Sequence, residues 1–458
     1  MYALLVVCGL GFVSLLAEIT NLKKNLHSVI IVGLTIAVMV LLMDWNSTLL
    51  YFNDMLIFDQ FSLGFTGLIL ATSFFWFCIA IPYFKGSAHQ TDRSALVIFT
   101  IVGGIMMVSF NNMAMLFLGI EILSISLYVL AGSNKESFIS NEAAFKYFIM
   151  GSFATGFLLM GIALVYGATG SFDIIEINAH VSQNKTALPG FFLVGLLLML
   201  IGMAFKISAV PFHFWAPDVY TGSPTIITAF MSTVVKVAAV GAFYKLFGQC
   251  FLPVQDSVIN IVRVIIVLTL IVANVTAVYQ TSIKRMLAYS SIAHVGYILL
   301  AFISGGLRPE GVIFYYLIAY SIASLTAFGI ISILENSFGD VSLESLQGLF
   351  QKNPFAAVCL TIVLLSLAGI PPLAGFFSKY MILGRAIGAD HIYLTILAVV
   401  TSLIGIYYYF RPIIAMSSPG SQSGNYVFSP LQKTVIGILT LGTLLAGMFP
   451  DALISLLD

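Results

Sequence analysis

The chain has 458 residues, of which 60% are apolar and only 8% are charged. Soluble globular proteins carry about 25% charged residues, so a soluble domain of this length would lack the polar surface that it needs. The mean hydropathy is +1.05, and 19 basic residues balance 19 acidic ones. This composition excludes a secreted disulfide scaffold, a nucleic-acid-binding protein and a disordered chain. It indicates a protein that crosses a membrane many times.

Long apolar runs follow one another along the whole chain. A bilayer core of about 30 Å needs roughly 20 apolar residues per helix, and by that measure the sequence predicts about fourteen transmembrane helices. The first run begins at Met1 without a basic stretch or a cleavage site, so we interpret it as the first spanning helix. We therefore expect an all-α polytopic membrane protein. Its predicted parts are residues 1–92 (helices 1–3), 93–248 (helices 4–8), 257–411 (helices 9–13) and 433–458 (helix 14).

The basic residues of the predicted loops are distributed unequally. Most of them, including Lys284 and Arg285, lie on the side of the loops that follow odd-numbered helices. Lys245 counts toward the opposite side, where the first loop, residues 44–60, contains three aspartates and no basic residue. Cytoplasmic loops are enriched in lysine and arginine. The basic side is therefore predicted to be cytoplasmic and both termini to lie on the outer side.

Two predicted spans are interrupted by proline. The seventh, residues 190–212, runs into residues 210–218, which contain two prolines. The twelfth, residues 355–386, contains the sequence GIPPLAG at 369–375. Proline removes a backbone donor, and a break at membrane depth persists only where protein covers it or a wet cavity adjoins it. Interrupted helices in corresponding places indicate a transporter that is built from repeats.

The spacing of ionisable residues supports such a repeat. Lys206 and Lys379 are 173 residues apart, and each lies beside one of the two breaks. The same offset relates two further pairs of positions: Glu121 with His294, and Lys236 with Tyr409. We therefore predict a five-helix repeat that covers helices 4–8 and 9–13.

Four charged residues lie well inside predicted spans, apart from those counted as loop charges: Glu121, Lys206, Lys236 and Lys379. A charge at the bilayer centre costs about 2.5–3.5 kcal/mol, so each of them needs a reason. The functional interpretation is a proton relay, in which a glutamate and a lysine hold each other charged and exchange protons when they separate. Lysine suits this role because it can release its proton, whereas arginine stays charged. The alternative is a fixed salt bridge between helices.

Four other residues have two open interpretations each. His294 is either a hydrogen-bonded packing residue or an intermediate of the relay. Lys146 is either an anchor that reaches the membrane surface or a second partner for Glu121. His213 and Asp218 belong either to a local structural network in the broken segment or to a site of proton uptake.

Motifs for cofactors are missing from the sequence. The four cysteines lie in or beside apolar runs, and there is no CxxC pair, dinucleotide-binding glycine motif, phosphate loop or HExxH sequence. We therefore expect no metal, redox cofactor or nucleotide in this chain.

Several segments carry a resemblance to a known family. They are LFLGIEILSISLYVLAG at 116–132, FKISAVPFHFWAPDVYTGSPT at 205–225, SIKRMLAYSSIAHVGY at 282–297 and SLAGIPPLAGFFSKY at 366–380. The chain resembles the antiporter-like membrane subunits of respiratory complex I, the bacterial NADH–quinone oxidoreductase. The WAPDVYTGSP variant favours the subunit N branch of that family.

The resemblance implies two inverted five-helix repeats and proton translocation through two linked half-channels, driven by quinone reduction in other subunits. Glu121 matches the glutamate that pairs with Lys206, Lys236 matches the central lysine, and Lys379 matches the residue of the outer half-channel. The implied partners are the neighbouring subunits M and K and lipids, with flavin and iron–sulfur clusters in partner subunits and no nucleic acid. The implied location is the bacterial inner membrane, with periplasmic termini.

Two other functions remain open at this point. One is an Mrp-type cation/proton antiporter subunit. The other is a structural spacer in the membrane, in which the buried charges only fix the packing of the helices.

Overall fold

The computed structural model describes residues 1–20, 22–45, 47–85, 89–305, 309–339, 342–419 and 428–457, and most of them are helical. In chain order the α-helices are α1 Tyr2–Leu16, α2 Leu26–Met43, α3 Gln60–Phe84, α4 Gln90–Ser109, α5 Met113–Ala131, α6 Phe138–Thr169, α7 Ile174–Gln183, α8 Gly190–Ile207, α9 Trp215–Gly222, α10 Thr225–Phe230, α11 Lys236–Tyr244, α12 Gln255–Val278, α13 Ile283–Ser304, α14 Pro309–Phe338, α15 Leu349–Lys352, α16 Pro354–Ala368, α17 Ala374–Gly388, α18 Ile392–Ser417, α19 Pro430–Met448 and α20 Pro450–Ile454. The predicted all-α membrane fold is confirmed.

The described residues contain fewer helices that could cross a membrane than the sequence predicts. Within the described ranges, twelve helices are long and apolar enough to cross a membrane, or thirteen if the bent pair Glu344–Lys352 and Pro354–Ala368 is one span. The predicted number of about fourteen is not confirmed. One reason is that α1 has only 15 residues. Another is that the twelfth predicted span is divided into two helices, α16 and α17, of 15 residues each.

Both predicted helix interruptions are present. The seventh predicted span stops at Ile207, and the chain resumes a helix at Trp215. The twelfth stops at Ala368 and resumes at Ala374. Each first half ends on a residue in the left-handed conformation, Ser208 with φ of 64° and Gly369 with φ of 87°. This conformation ends a helix and directs the chain away from its axis.

Two elements lie in the connections. A two-stranded antiparallel hairpin pairs β1, Leu49–Tyr51, with β2, Leu56–Phe58, with Leu50 opposite Ile57. The sequence did not predict it, because three-residue strands leave too short a pattern. The connection at 173–189 contains the short helix α7.

The chain divides into two compact units, and the first comprises residues 1–77, 81–215 and 234–262. Its helices pack closely where glycines face each other: a Cβ atom on Gly103 of α4 would lie 2.6 Å from the carbonyl oxygen of Gly119 on α5. Every side chain of α11 is buried. This helix continues into a π-helical turn at Lys245–Cys250.

The second unit comprises residues 78–80, 216–233 and those from 263 to the end of the described chain. Helix α13 is buried along most of its length. Large tyrosine side chains, including Tyr316 of α14 and Tyr409 of α18, fill the interior of this unit. The boundaries of the two predicted repeats, 93–248 and 257–411, stay a prediction.

Candidate functional site

Lys206 and Glu121 lie together in the first unit. Lys206 occupies the last turn of α8 with 8% of its surface exposed, and its Nζ donates to Ser124 Oγ of α5 at 2.6 Å. Glu121 lies one helical turn before Ser124 and interacts electrostatically with Lys206. Its Oε1 atom is buried and has no hydrogen-bond partner among the described residues. The two predicted partners are thus close, but the direct hydrogen bond of the lysine goes to the serine.

The end of α8 holds Lys206 in place. Trp215 closes the broken segment by donating its indole N–H to the carbonyl oxygen of Phe205 at 3.1 Å. The same indole ring stacks on Tyr147 of α6, with ring centroids 4.6 Å apart. A positive charge in the last turn of a helix is favoured by the helix dipole. The break therefore leaves the positive charge of Lys206 at the C-terminal end of a helix.

Lys236 begins α11, immediately after a π-helical turn at Met231–Val235. It is 3% exposed. Helix α11 lies against α4, where a Cβ atom on Gly104 would come within 3.3 Å of Ala238. Single π-helical turns inside α-helices are frequent at functional sites, since they change the direction in which the following side chains project.

Lys379 lies in the second unit, on the second half of the other interrupted helix. Its Nζ donates to the carbonyl oxygens of Leu367 and Ala368, each at 3.0 Å, and to Ser402 Oγ at 3.2 Å. The ammonium group also lies 5.1 Å from the ring centre of Tyr297, within the range of a cation–π contact. These contacts place the ammonium group of Lys379 at the C-terminal end of α16.

His294 lies in the second unit between two tyrosine hydroxyl groups. Its Nδ1 is 2.6 Å from Tyr316 Oη, and its Nε2 is 3.2 Å from Tyr409 Oη. Tyr409 also forms a hydrogen bond with Ser290, one turn before His294 on α13. Neutral histidine has one donor and one acceptor nitrogen, and a hydroxyl group can serve either of them.

The three weaker candidates have different surroundings. Lys146 forms an ion pair with Glu142 at 2.9 Å on the partly exposed face of α6. His213 is buried in the broken segment of the first unit, and its Nδ1 has no hydrogen-bond partner among the described residues. Asp218 belongs to the second unit, where it pairs with Arg285 at 2.9 Å. The roles of these residues stay predictions.

Two lysines that were expected only as loop charges are buried. Lys284 donates to the carbonyl oxygen of Ser223 at 2.6 Å and lies 3.6 Å from Glu335. Lys245 is 1% exposed, and its Nζ lies 3.3 Å from Ser62 Oγ. The position of Lys245 within the last turn of the eighth predicted span, residues 225–247, is a signal that could have identified it. Among the described residues no group of three or more histidine, cysteine or acidic side chains could hold a metal ion.

Comparison with known proteins gives one consistent family. The family described as "NADH:quinone oxidoreductase/Mrp antiporter, TM" matches residues 110–405. The NADH-quinone oxidoreductase subunit N of Cytophaga hutchinsonii is 44% identical, over 100% of this chain and 99% of its own length. The chain belongs to the subunit N family of the NADH-quinone oxidoreductases. This match confirms the resemblance that the sequence motifs carry. Every candidate site residue of this subunit N chain lies within the matched residues 110–405.

Two solved structures share the fold. A chain of respiratory complex I from Thermus thermophilus aligns with a TM-score of 0.86 and 30% identity, covering 99% of this chain and 98% of that one. A chain of the Mrp complex from Dietzia sp. aligns with a TM-score of 0.88 and 20% identity, covering 99% and 95%. At that level of identity, the second likeness concerns the fold alone.

Proposed function

We propose that this chain translocates protons across the membrane as subunit N of a bacterial NADH–quinone oxidoreductase. Protons pass through a half-channel in each of the two units, and quinone reduction in other subunits drives them. One observation carries the proposal: in each unit the first half of an interrupted helix ends beside the ammonium group of a buried lysine, Lys206 at the end of α8 and Lys379 at the end of α16. A fixed salt bridge would require neither interruption.

In the first unit, Glu121 and Lys206 form the switching pair. The carboxylate favours the protonated ammonium group of Lys206 while the two stay close. Ser124 holds the lysine, whereas Oε1 of Glu121 has no hydrogen-bond partner in the described part of the chain. That oxygen is available to accept a proton when the pair separates. Lys236 then acts as the central carrier.

In the second unit, His294 is the intermediate and Lys379 the carrier on the exit side. A cavity of about 10 Å³ adjoins His294 and is also lined by Tyr316, Ser366 and Ser378. A polar cavity needs roughly 10–15 Å³ to hold one water molecule, so this space is at the lower limit for one. Such a water would connect the imidazole and hydroxyl groups with the break beside Lys379.

This chain supplies the path of the protons, and the redox chemistry belongs to partner subunits that carry flavin and iron–sulfur clusters. Its neighbours in the membrane are subunits M and K, together with lipids. The basic loops face the cytoplasm, and both termini face the periplasm. Lys146, His213 and Asp218 serve as secondary groups near the path, with His213 and Asp218 at the side of proton uptake.

The test is proton pumping by the assembled oxidoreductase in inverted membrane vesicles. We expect Lys206→Met and Lys379→Met to leave assembly intact and to reduce the protons moved per NADH oxidised, because neither side chain can carry a proton. Quinone reduction measured in the same vesicles separates lost coupling from lost assembly. Full pumping by both variants would exclude the proposed half-channels.

The second candidate is an Mrp-type cation/proton antiporter subunit, since the matching family includes these proteins and the fold resembles the Dietzia complex. Purification through a tag on this chain separates the two functions. Flavin and iron–sulfur subunits that stay bound support the oxidoreductase. A complex that lacks them and exchanges sodium ions for protons would identify an antiporter.

A further inference from the structure

We infer that Tyr409 is a further proton-transferring residue of the second unit, and that its hydroxyl group passes protons between Ser290 and Nε2 of His294. The inference rests on the proposed function and adds an uncharged member to the path.

The geometry around His294 supports the inference. Tyr409 is 1% exposed, and its hydroxyl group contacts both the imidazole Nε2, at 3.2 Å, and the Ser290 hydroxyl group. On the other side of the ring, Tyr316 Oη lies 2.6 Å from Nδ1. Ser290, Tyr409, His294 and Tyr316 therefore form a continuous chain of hydrogen bonds through the imidazole.

This chain can move one proton without leaving a charge on any tyrosine. An incoming proton binds Ser290 Oγ, which gives its own hydroxyl proton to Tyr409 Oη. Tyr409 gives its phenolic proton to Nε2 of His294, and Nδ1 gives its proton to Tyr316 Oη. Tyr316 releases its own proton to the adjoining cavity. Every oxygen then again holds one proton, and the imidazole carries its proton on Nε2 instead of Nδ1. The starting arrangement returns when the hydroxyl groups rotate and the imidazole gains a proton at Nδ1 and loses the one at Nε2.

The predicted internal repeat relates the position of Tyr409 to that of Lys236. The offset that pairs Glu121 with His294 also pairs Lys236 with Tyr409. In the first unit these positions hold a carboxylate and an amine, which store charge. In the second unit they hold an imidazole and a phenol that are hydrogen-bonded to each other. The second unit thus transfers protons at a position where the first unit stores them.

A purely structural role for the hydroxyl group is the competing explanation, and the neighbouring residue provides a matched control. Tyr408 is buried to the same degree, and its hydroxyl group donates to Asn274 Oδ1 at 3.2 Å. Tyr408→Phe and Tyr409→Phe each remove one buried hydroxyl group from the same turn of α18. They differ in whether that group contacts His294.

The experiment measures NADH-driven pumping and quinone reduction by the intact oxidoreductase in vesicles. We expect Tyr409→Phe to assemble and to pump several-fold less per NADH oxidised than Tyr408→Phe does. The two hydroxyl groups interact with each other, but only that of Tyr409 contacts His294. Equal pumping by the two variants would overturn the inference. If Lys379→Met abolishes pumping while Tyr409→Phe does not, the proposed function stands and only the role of Tyr409 fails.

A second variant covers the case in which Tyr409→Phe does not assemble. A fluorinated tyrosine at position 409 keeps the ring and the hydroxyl group but makes that group a stronger acid. A proton-transferring hydroxyl predicts a changed pumping rate and a changed solvent deuterium isotope effect. Native values of both would overturn the inference, because a hydroxyl group that only orients the ring is insensitive to its acidity.

Discussion

The ammonium nitrogen of Lys379 lies 3.0 Å from the carbonyl oxygen of Ala368, the last residue of α16. The ammonium group therefore lies at the C-terminal end of α16, where the last carbonyl groups have no donor within the helix. A cation at a helix C-terminus is stabilised by about 0.3–1 kcal/mol at an exposed site and by up to about 2 kcal/mol at a partly buried one. Lys206 lies in the last turn of α8, at the other break. In both units the interruption of the helix thus positions the lysine.

The first prediction concerns the close contact between α16 and α17, the two halves of the interrupted helix beside Lys379. A Cβ atom on Gly375 would lie 1.8 Å from the carbonyl oxygen of Ser366, whereas one on Gly384 of the same helix would meet no atom within 4 Å. We expect Gly375→Ala to lower the stability of the subunit by about 1–3 kcal/mol, as overpacking does. Gly384→Ala should be neutral. Thermal unfolding of the purified complex measures both, and equal melting temperatures would contradict the packing.

The second prediction concerns the break itself. Replacement of Pro371 and Pro372 by alanine restores two backbone donors and favours a continuous helix through residues 369–373. That change would move α17 and remove Lys379 from the end of α16. We expect normal assembly with impaired proton pumping in inverted vesicles. Native pumping would mean that the break is only a packing feature.

The third prediction concerns the switching pair. Glu121→Gln replaces the carboxylate with a neutral amide, which no longer acts on the charge of Lys206. We expect an assembled complex that reduces quinone but pumps poorly. Glu142→Gln is the matched control, because Glu142 pairs with Lys146 on a partly exposed face of α6. If Glu121→Gln pumps as well as the control, Glu121 has no switching role.

The fourth prediction corrects an expectation from the sequence. A lysine that only marks the cytoplasmic side should tolerate arginine, but Lys284 is buried and donates to the carbonyl oxygen of Ser223. Lys284→Met would leave that acceptor without its donor, at a cost of about 1–3 kcal/mol. Lys284→Arg should also destabilise the subunit, since the larger guanidinium group needs extra volume. Lys146→Arg, on a partly exposed face, should be silent in the same thermal unfolding experiment.

Much of the fold was predictable from the sequence, because a bilayer imposes strong constraints. Apolar runs of fixed length predict the spanning helices, and the prolines at 211 and 371 mark both interruptions. The shared offset of 173 residues relates Lys206 to Lys379. Lys206 does lie in the last turn of α8, and the ammonium group of Lys379 does lie at the end of α16.

The direct partners of the buried groups were not predictable. Ser124 accepts the hydrogen bond of Lys206, but one serine among many in apolar helices carries no distinguishing pattern. The burial of Lys284 depends on which neighbouring helix covers it, and composition does not encode that. The arrangement of Tyr316 and Tyr409 around His294 likewise depends on how α18 packs against α13 and α14, from which it is distant in sequence.

The measurement that tests the account most directly is proton pumping by the complex with arginine at position 236. Lys236 is buried at the start of α11, and arginine keeps the positive charge without releasing a proton in proteins. Lys236→Ala controls for the larger volume of the guanidinium group, because a packing site tolerates alanine better than arginine. We predict that both variants assemble and that both lose pumping. Normal pumping by Lys236→Arg would contradict the claim that this lysine carries protons.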